Sequence, residues 1–348
     1  MANLFRTLAA SALGLVALST PVSAKDDALQ GDLRITGSEE FAPLLEVWGK
    51  AFERRNPGVR VIGNLKGSAA AIYGLEMRTA DVALMVRPIN PFERYGTYER
   101  AWIYPVEIEV ATGSSVGASY GIFVHPDNPL RQLSMAQLDG IFGARRDGGW
   151  DKLAWNKAAA RDESADIRTW RQLEVSGPLA DLPIHVYGPP IDGQGVVSPF
   201  QKLVMDGGAS WNEDYREVPG SAGLFAALVG DRQGIAYAPL AAAPAGFVPL
   251  ALASRDGSGF VLPTRGSLAD RGYPLALPAY LYFTRDTLSG DPAPVTPLIR
   301  AFARFVLSKE GQTLVTRDPH FLRLKAAAAA DQLRKANSDA WPSERSRP

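Results

Sequence analysis

The chain has 348 residues, with 37 basic and 37 acidic side chains and no cysteine. That charge balance argues against a nucleic-acid or anionic-membrane surface, and the missing cysteine excludes disulfides, thiolate metal sites, a cysteine nucleophile and a lipoprotein anchor. With 46% hydrophobic composition, the roughly 300 residues beyond a leader suffice for a core split between two domains.

Arg6, the uncharged apolar run Leu8 to Leu18 and the small residues Val22-Ser23-Ala24 read as a cleaved signal peptide over residues 1–24. The run is shorter than the about 20 residues a bilayer span needs. No second long apolar run follows, so the mature chain is expected to lack a membrane span. From Asp32 onward, strand-like and helix-like pieces alternate. Leu33 to Ile35 predicts a strand, and Phe41, Leu44, Leu45, Trp48 and Phe52 recur as on one helix face. Asn56-Pro57-Gly58 stops that helix, and Val59 to Ile62 predicts the next strand. Gly67-Ser68 opens a helix through Met77, followed by a strand over Asp81 to Met85. A β-α-β-α-β series of this kind predicts a parallel sheet covered by helices.

Further along, Tyr120 to Val124 predicts a strand, Ser134 the N-cap of a helix through Phe142, and residues 143–182 an elaborated polar loop. Ile184 to Tyr187, Gly234 to Tyr237 and Leu277 to Phe283 predict strands. Helices are expected from near Ser198, over Val295 to Leu307, and over Lys309 to Thr316. Residues 325–348 are Ala-rich, then polar, and predict a marginal helix with a frayed end.

Several ordered signatures carry a resemblance across Asp32 to Leu324. They are Gly37-Ser38 with Pro43-Leu44, Gly67-Ser68, Ala80 to Ala83 with Arg87-Pro88, and Val124-His125-Pro126-Asp127-Asn128-Pro129-Leu130 with Leu133-Ser134 and Gln137-Leu138. Trp150 with Leu153, Gly234 to Tyr237, and Tyr273-Pro274-Leu275 with Tyr280-Leu281-Tyr282 complete the order. In these the chain resembles the phosphate-type periplasmic solute-binding proteins of ABC transporters.

The resemblance implies an α/β, two-lobed type II periplasmic-binding-protein fold, each lobe a mainly parallel sheet flanked by helices. It places lobe I at residues 29–118 plus 238–324 and lobe II at 119–237, with crossings near Ser119-Tyr120 and Tyr237-Ala238. It further implies periplasmic localisation, a monomer, an ABC-transporter permease as partner, and capture of a small anion such as phosphate without metal or cofactor. The ligand-binding residues it implies are Ser38, Glu39, Gly67, Ser68, Arg87, Gly193, Gln194 and Gly195. Amides and the positive dipole at helix N-termini attract such an anion. The chain departs from the family pattern in three places. Glu39-Glu40 stand where hydroxyls are usual, Met85-Val86 stand where an acidic or hydroxyl residue precedes the arginine, and Pro189 with Gly193-Gln194-Gly195 replaces an arginine and a Ser-Gly-Thr run. Tyr73, Tyr120, Tyr187 and Tyr237 fall near turns or hinges, with ordinary packing as the plainer reading. The alternative to oxyanion uptake is a different small organic ligand or a protein partner in the envelope.

An enzyme needs a constellation, and His125, His185 and His320 are scattered without metal spacing. No Gly-x-Ser-x-Gly elbow exists. Glu107 and Glu109 alternate along a strand and read as an exposed edge.

Overall fold

The computed structural model describes residues 28–101, 103–113, 119–151, 154–191, 198–253, 259–286 and 295–338. The predicted signal peptide and Gly193, Gln194 and Gly195 lie outside the described residues.

The opening series forms as the periodicity predicts. Strand β1 (Gln30–Gly37) leads through a short 3-10 turn into α1 (Ala42–Arg55), then β2 (Gly58–Leu65), α2 (Ser68–Glu76) and β3 (Val82–Met85). Pro43 sits in the first turn of α1, where its missing N–H costs nothing. Leu44, Leu45, Trp48, Ala51 and Phe52 are buried along one face of that helix. Helix α3 (Pro91–Ala101) and the long β4 (Ile103–Gly113) follow.

The chain then enters a second body. This comprises β5 (Tyr120–Val124), β6 (Gln132–Ser134), α4 (Met135–Phe142), the hairpin β7 (Gly149–Asp151) and β8 (Ala154–Asn156), β9 (His185–Gly188), α5 (Pro199–Val204), β10 (Arg216–Glu217), α6 (Ser221–Gly230), β11 (Gly234–Pro239), β12 (Ala251–Ala253) and α7 (Arg265–Ala269). Strand β13 (Pro278–Asp286), helices α8 (Pro297–Leu307) and α9 (Lys309–Val315), β14 (Phe321–Leu322) and α10 (Ala326–Asn337) return to the first body.

Each body has its own sheet. The first runs β14-β4-β13-β3-β1-β2. Its β1 is parallel to β2 and β3, while β13 and β14 pair antiparallel with their neighbours, so the predicted parallel series occupies one half only. The second runs β10-β9-β11-β5, parallel except for β5. Separate apolar cores follow, one around Leu33, Trp48, Ile108, Leu281 and Phe302, the other around Ile122, Leu138, Phe142, Trp170, Phe200 and Ile235. The result is the expected α/β, two-lobed type II architecture.

The return crossing lies later in the chain than the resemblance implies. Beyond Ala238, β12 pairs with β6, and Leu250, Leu252, Leu268, Tyr273 and Leu275 pack into the second core. Polypeptide therefore passes back to the first lobe between Ala276 and Ala279, not at Tyr237-Ala238. Apolar side chains in this stretch read alike for either core, which is why the sequence misplaces them. Ser119, buried at the first crossing, binds both neighbours. Its carbonyl accepts from Leu240 N at 3.0 Å and its Oγ accepts from Leu277 N at 3.2 Å.

Two further expectations change. Residues 143–182 hold a hairpin and four short 3-10 turns, organised by arginines. Arg146 makes a buried bidentate pair with Asp139 (2.7 and 2.6 Å), and Arg161 and Arg168 bond backbone carbonyls and Asp166. The Ala-rich helix is docked rather than marginal, while residues 339–348, which hold nearly all of the expected frayed end, lie outside the described residues. Ala329 and Ala336 are buried in the first core, Leu333 packs against it, Gln332 Oε1 accepts from Glu109 N at 3.0 Å, and Arg300 donates to Asn337 O at 3.0 Å. Small side chains let α10 lie close on β4 and α8, a contact that alanine content alone does not reveal.

Ending the chain at Lys325 is therefore expected to cost about 2–4 kcal/mol of stability from re-exposed apolar surface. Urea unfolding followed by circular dichroism checks this, and an unchanged midpoint contradicts the docking.

Candidate functional site

The carboxyl ends of β1, β2 and β3 meet at one place. Gly37 O accepts from both Lys66 N and Gly67 N at 2.9 Å, and Ser38 N donates to Leu84 O at 2.8 Å. A side chain at Gly37 would put its Cβ 2.4 Å from Leu84 O, so only glycine permits this approach. Gly67 takes φ +96°, turning the chain sharply into α2. The first turn of α2 then presents amides with no intrahelical acceptor. Ser68 Oγ accepts from Val86 N at 3.4 Å, which joins this helix to the exit of β3 and to Arg87.

Arg87 is held by a second small device. Each of its terminal nitrogens bonds one oxygen of Glu93, at 2.8 and 2.6 Å. Glu93 Oε2 also accepts from Asn90 N at 3.0 Å while Asn90 Oδ1 accepts from Glu93 N at 2.8 Å. This reciprocal capping box fixes the start of α3 and with it the carboxylate that orients the arginine.

Arg87 also lines a cavity of about 430 Å³ between the lobes. The first lobe contributes Pro88, Asn90, Arg94, Glu107 and Tyr280, and the second contributes Trp150, Asp151, Pro189, Pro190, Ser198, Pro199, Lys202, Trp211 and Tyr237, with Tyr120 at the crossing. Its cations come with carboxylates. Arg94 approaches Glu107 at 3.4 Å, and Lys202 meets Asp151 at 2.7 Å. Glu107 further accepts from the Tyr282 hydroxyl at 2.7 Å, and that hydroxyl accepts from Ile89 N at 2.8 Å. Behind the second wall, Phe200 and Tyr237 stack at 3.8 Å and Trp211 lies nearly parallel to both. Burial pushes the phenols of Tyr120, Tyr237 and Tyr280 up, with the charge of Arg87 opposing the effect at Tyr120. They therefore remain protonated donors at neutral pH.

Of the residues implied by resemblance, Ser38, Gly67, Ser68 and Arg87 converge on the strand ends, and Arg87 alone of the four reaches the cavity wall. Ser38 is buried, and its hydroxyl donates to Glu40. Its N–H is taken up by Leu84, so Ser38 serves the turn more directly than an anion. Glu39 is exposed. Of the four tyrosines singled out, Tyr120 and Tyr237 line the cavity. Tyr73 projects from α2 at 59% exposure, and Tyr187 donates to Asp231 in the second lobe. Glu107, read from sequence as an edge residue, faces the cavity instead, because β13 and β14 flank β4. Glu93 and Trp211 were not singled out, and Trp150 was read only as part of the resemblance, not as a site residue. The Asn90-x-x-Glu93 spacing of a capping box is the one signal that could have found the first of them. Among the described residues no group of histidines and carboxylates is placed to hold a metal ion.

A profile of the PBP superfamily domain matches residues 22–310. The phosphate-binding protein PstS of Pseudomonas aeruginosa is 28% identical over 310 residues, covering 89% of this chain and 88% of that protein. Protein SphX of Synechococcus elongatus is 24% identical over 312 residues, covering 86% and 80%. Crystal structures of PstS from Borrelia burgdorferi and of an ABC-type phosphate transport receptor from Vibrio cholerae share the fold. Their TM-scores are 0.53 and 0.52 at 16% identity, covering 85% and 84% of this chain and all of each of theirs.

Replacing Glu93 with alanine removes both the cap of α3 and the anchor of Arg87. Glu93→Ala is expected to lower stability by about 1–3 kcal/mol in thermal or chemical unfolding. A change below a few tenths would show that the pair does not hold the site.

Proposed function

We propose, from the premise that this chain belongs to the PBP superfamily, that it captures phosphate or a related oxyanion between its lobes for uptake by an ABC transporter. One observation carries the reading: the open first turn of α2, Ser68 and Arg87 lie at the carboxyl ends of three parallel strands, and Arg87 lines the interlobe cavity. Unpartnered amides at a helix N-terminus and a planar arginine fork are the groups that bind tetrahedral oxyanions. The crossing segments joined at Ser119 supply the hinge about which the lobes close on a ligand. The relatives named as phosphate-binding proteins support the same chemistry.

In this reading Ser68 and Arg87 are the principal ligands, with Gly67 shaping the turn and Ser38 supporting it. Gly193, Gln194 and Gly195 complete the set of ligand-binding residues in this reading. The chain works as a periplasmic monomer after loss of residues 1–24 and delivers its ligand to a membrane permease. No catalytic step is assigned, which agrees with the naming of its relatives as binding proteins.

Calorimetric and thermal-shift titration with inorganic phosphate tests the reading. At 100 times the dissociation constant a ligand stabilises by about 2.7 kcal/mol. Phosphate is expected to raise the melting midpoint, and Arg87→Ala to weaken binding at least tenfold. No shift at millimolar phosphate contradicts the proposal.

A further inference from the structure

The walls of the cavity are unlike each other, and the difference bears on what accompanies the oxyanion. A bare oxyanion is bound by donors on every side. The second-lobe wall places Pro189, Pro190 and Pro199 on the cavity, three positions with no backbone N–H to offer. Among the described residues of that wall, Trp150, Trp211 and Tyr237 add ring surface, Ser198 and Gln201 add polar groups, and Lys202 is already paired with Asp151 at 2.7 Å. Across the cleft, Arg87 is paired with Glu93 and Arg94 with Glu107. Among the described lining residues, each of these cations thus has a carboxylate partner. The cavity volume, about 430 Å³, falls in the range of about 300–1,000 Å³ that takes drug-sized molecules.

The apolar wall is also rigid. Trp150 packs edge-on against Trp155 across the β7–β8 hairpin at 5.4 Å, and the Lys202–Asp151 pair ties that hairpin to α5. Trp211 and Tyr237 belong to the stack built on Phe200. Rings fixed in this way contact a ligand without losing much side-chain freedom. Tyr120 and Tyr280 also line the cavity, and their hydroxyls can give hydrogen bonds without charge.

We propose that the oxyanion bound here carries an organic group: the ligand is a phosphomonoester or phosphonate, with its anionic head at Arg87 and its body against Trp150, Trp211, Tyr237 and the three prolines. This rests on the oxyanion reading of the same cleft and names its ligand class.

Titration calorimetry with inorganic phosphate and with phenyl phosphate tests it, on the wild-type chain, Trp150→Ala and Trp150→Phe. Phenyl phosphate is expected to bind the wild type at least tenfold more tightly than inorganic phosphate. Trp150→Ala should cut that preference at least fivefold, and Trp150→Phe, which keeps a ring, should retain most of it. Melting curves of the unliganded variants confirm folding, and a misfolded Trp150→Ala leaves the wild-type preference and Trp150→Phe to decide. Equal or tighter binding of inorganic phosphate overturns the organic-group proposal and leaves oxyanion capture standing. An equal loss of both ligands in Trp150→Ala also overturns it. Binding of neither ligand removes both readings.

Discussion

Gly37 has no side chain, and the candidate site is arranged around that fact. Its missing Cβ would lie 2.4 Å from Leu84 O, so any other residue would force β1 away from β3. With glycine there, one carbonyl takes two amides from the β2–α2 turn and Ser38 N reaches Leu84 O. These bonds fix where α2 begins relative to the exit of β3, and the Ser68–Val86 bond extends the same register to Arg87. The positive end of a helix and the backbone that carries an arginine are thus placed side by side before any ligand arrives. Pre-placement of this kind lowers the ordering cost of binding.

The cleft that opens from this point joins two chemistries. The first-lobe side is polar, and each of its arginines is restrained by a carboxylate: Glu93 for Arg87 and Glu107 for Arg94. Such pairing orients the guanidinium forks and spares the protein an uncompensated buried charge when empty. It also reduces the net attraction for a highly charged ligand, so affinity must come partly from contacts other than charge. The second-lobe side provides those contacts as fixed rings and prolines. Ser119 lies where both crossings meet, and its hydroxyl and carbonyl tie the two segments together.

Local signals were legible in the sequence and long-range ones were not. The helical spacing of Phe41 to Phe52, the N-cap Ser134, the helix start near Ser198 and the two Gly-Ser turns all lie within a few residues of the elements they define. Backbone physics acts at that range. Leu250, Leu252 and Tyr273 were assigned to the wrong lobe because burial looks the same in either core. The docking of α10 depends on a surface formed by β4 and α8, which lie far away in the chain. Glu107 became a cavity residue through strand order, which alternation along β4 does not encode. Ser38 was legible as a turn residue, but the capture of its hydroxyl by Glu40 was not.

A crystal structure of the chain grown with inorganic phosphate tests the central claim most directly, because it locates the anion without reference to affinity. The account predicts anion density within hydrogen-bonding distance of Ser68 and of the Arg87 guanidinium, at the carboxyl ends of β1, β2 and β3. An anion seated in the cleft that touches neither residue, or one held only elsewhere on the surface, would contradict it.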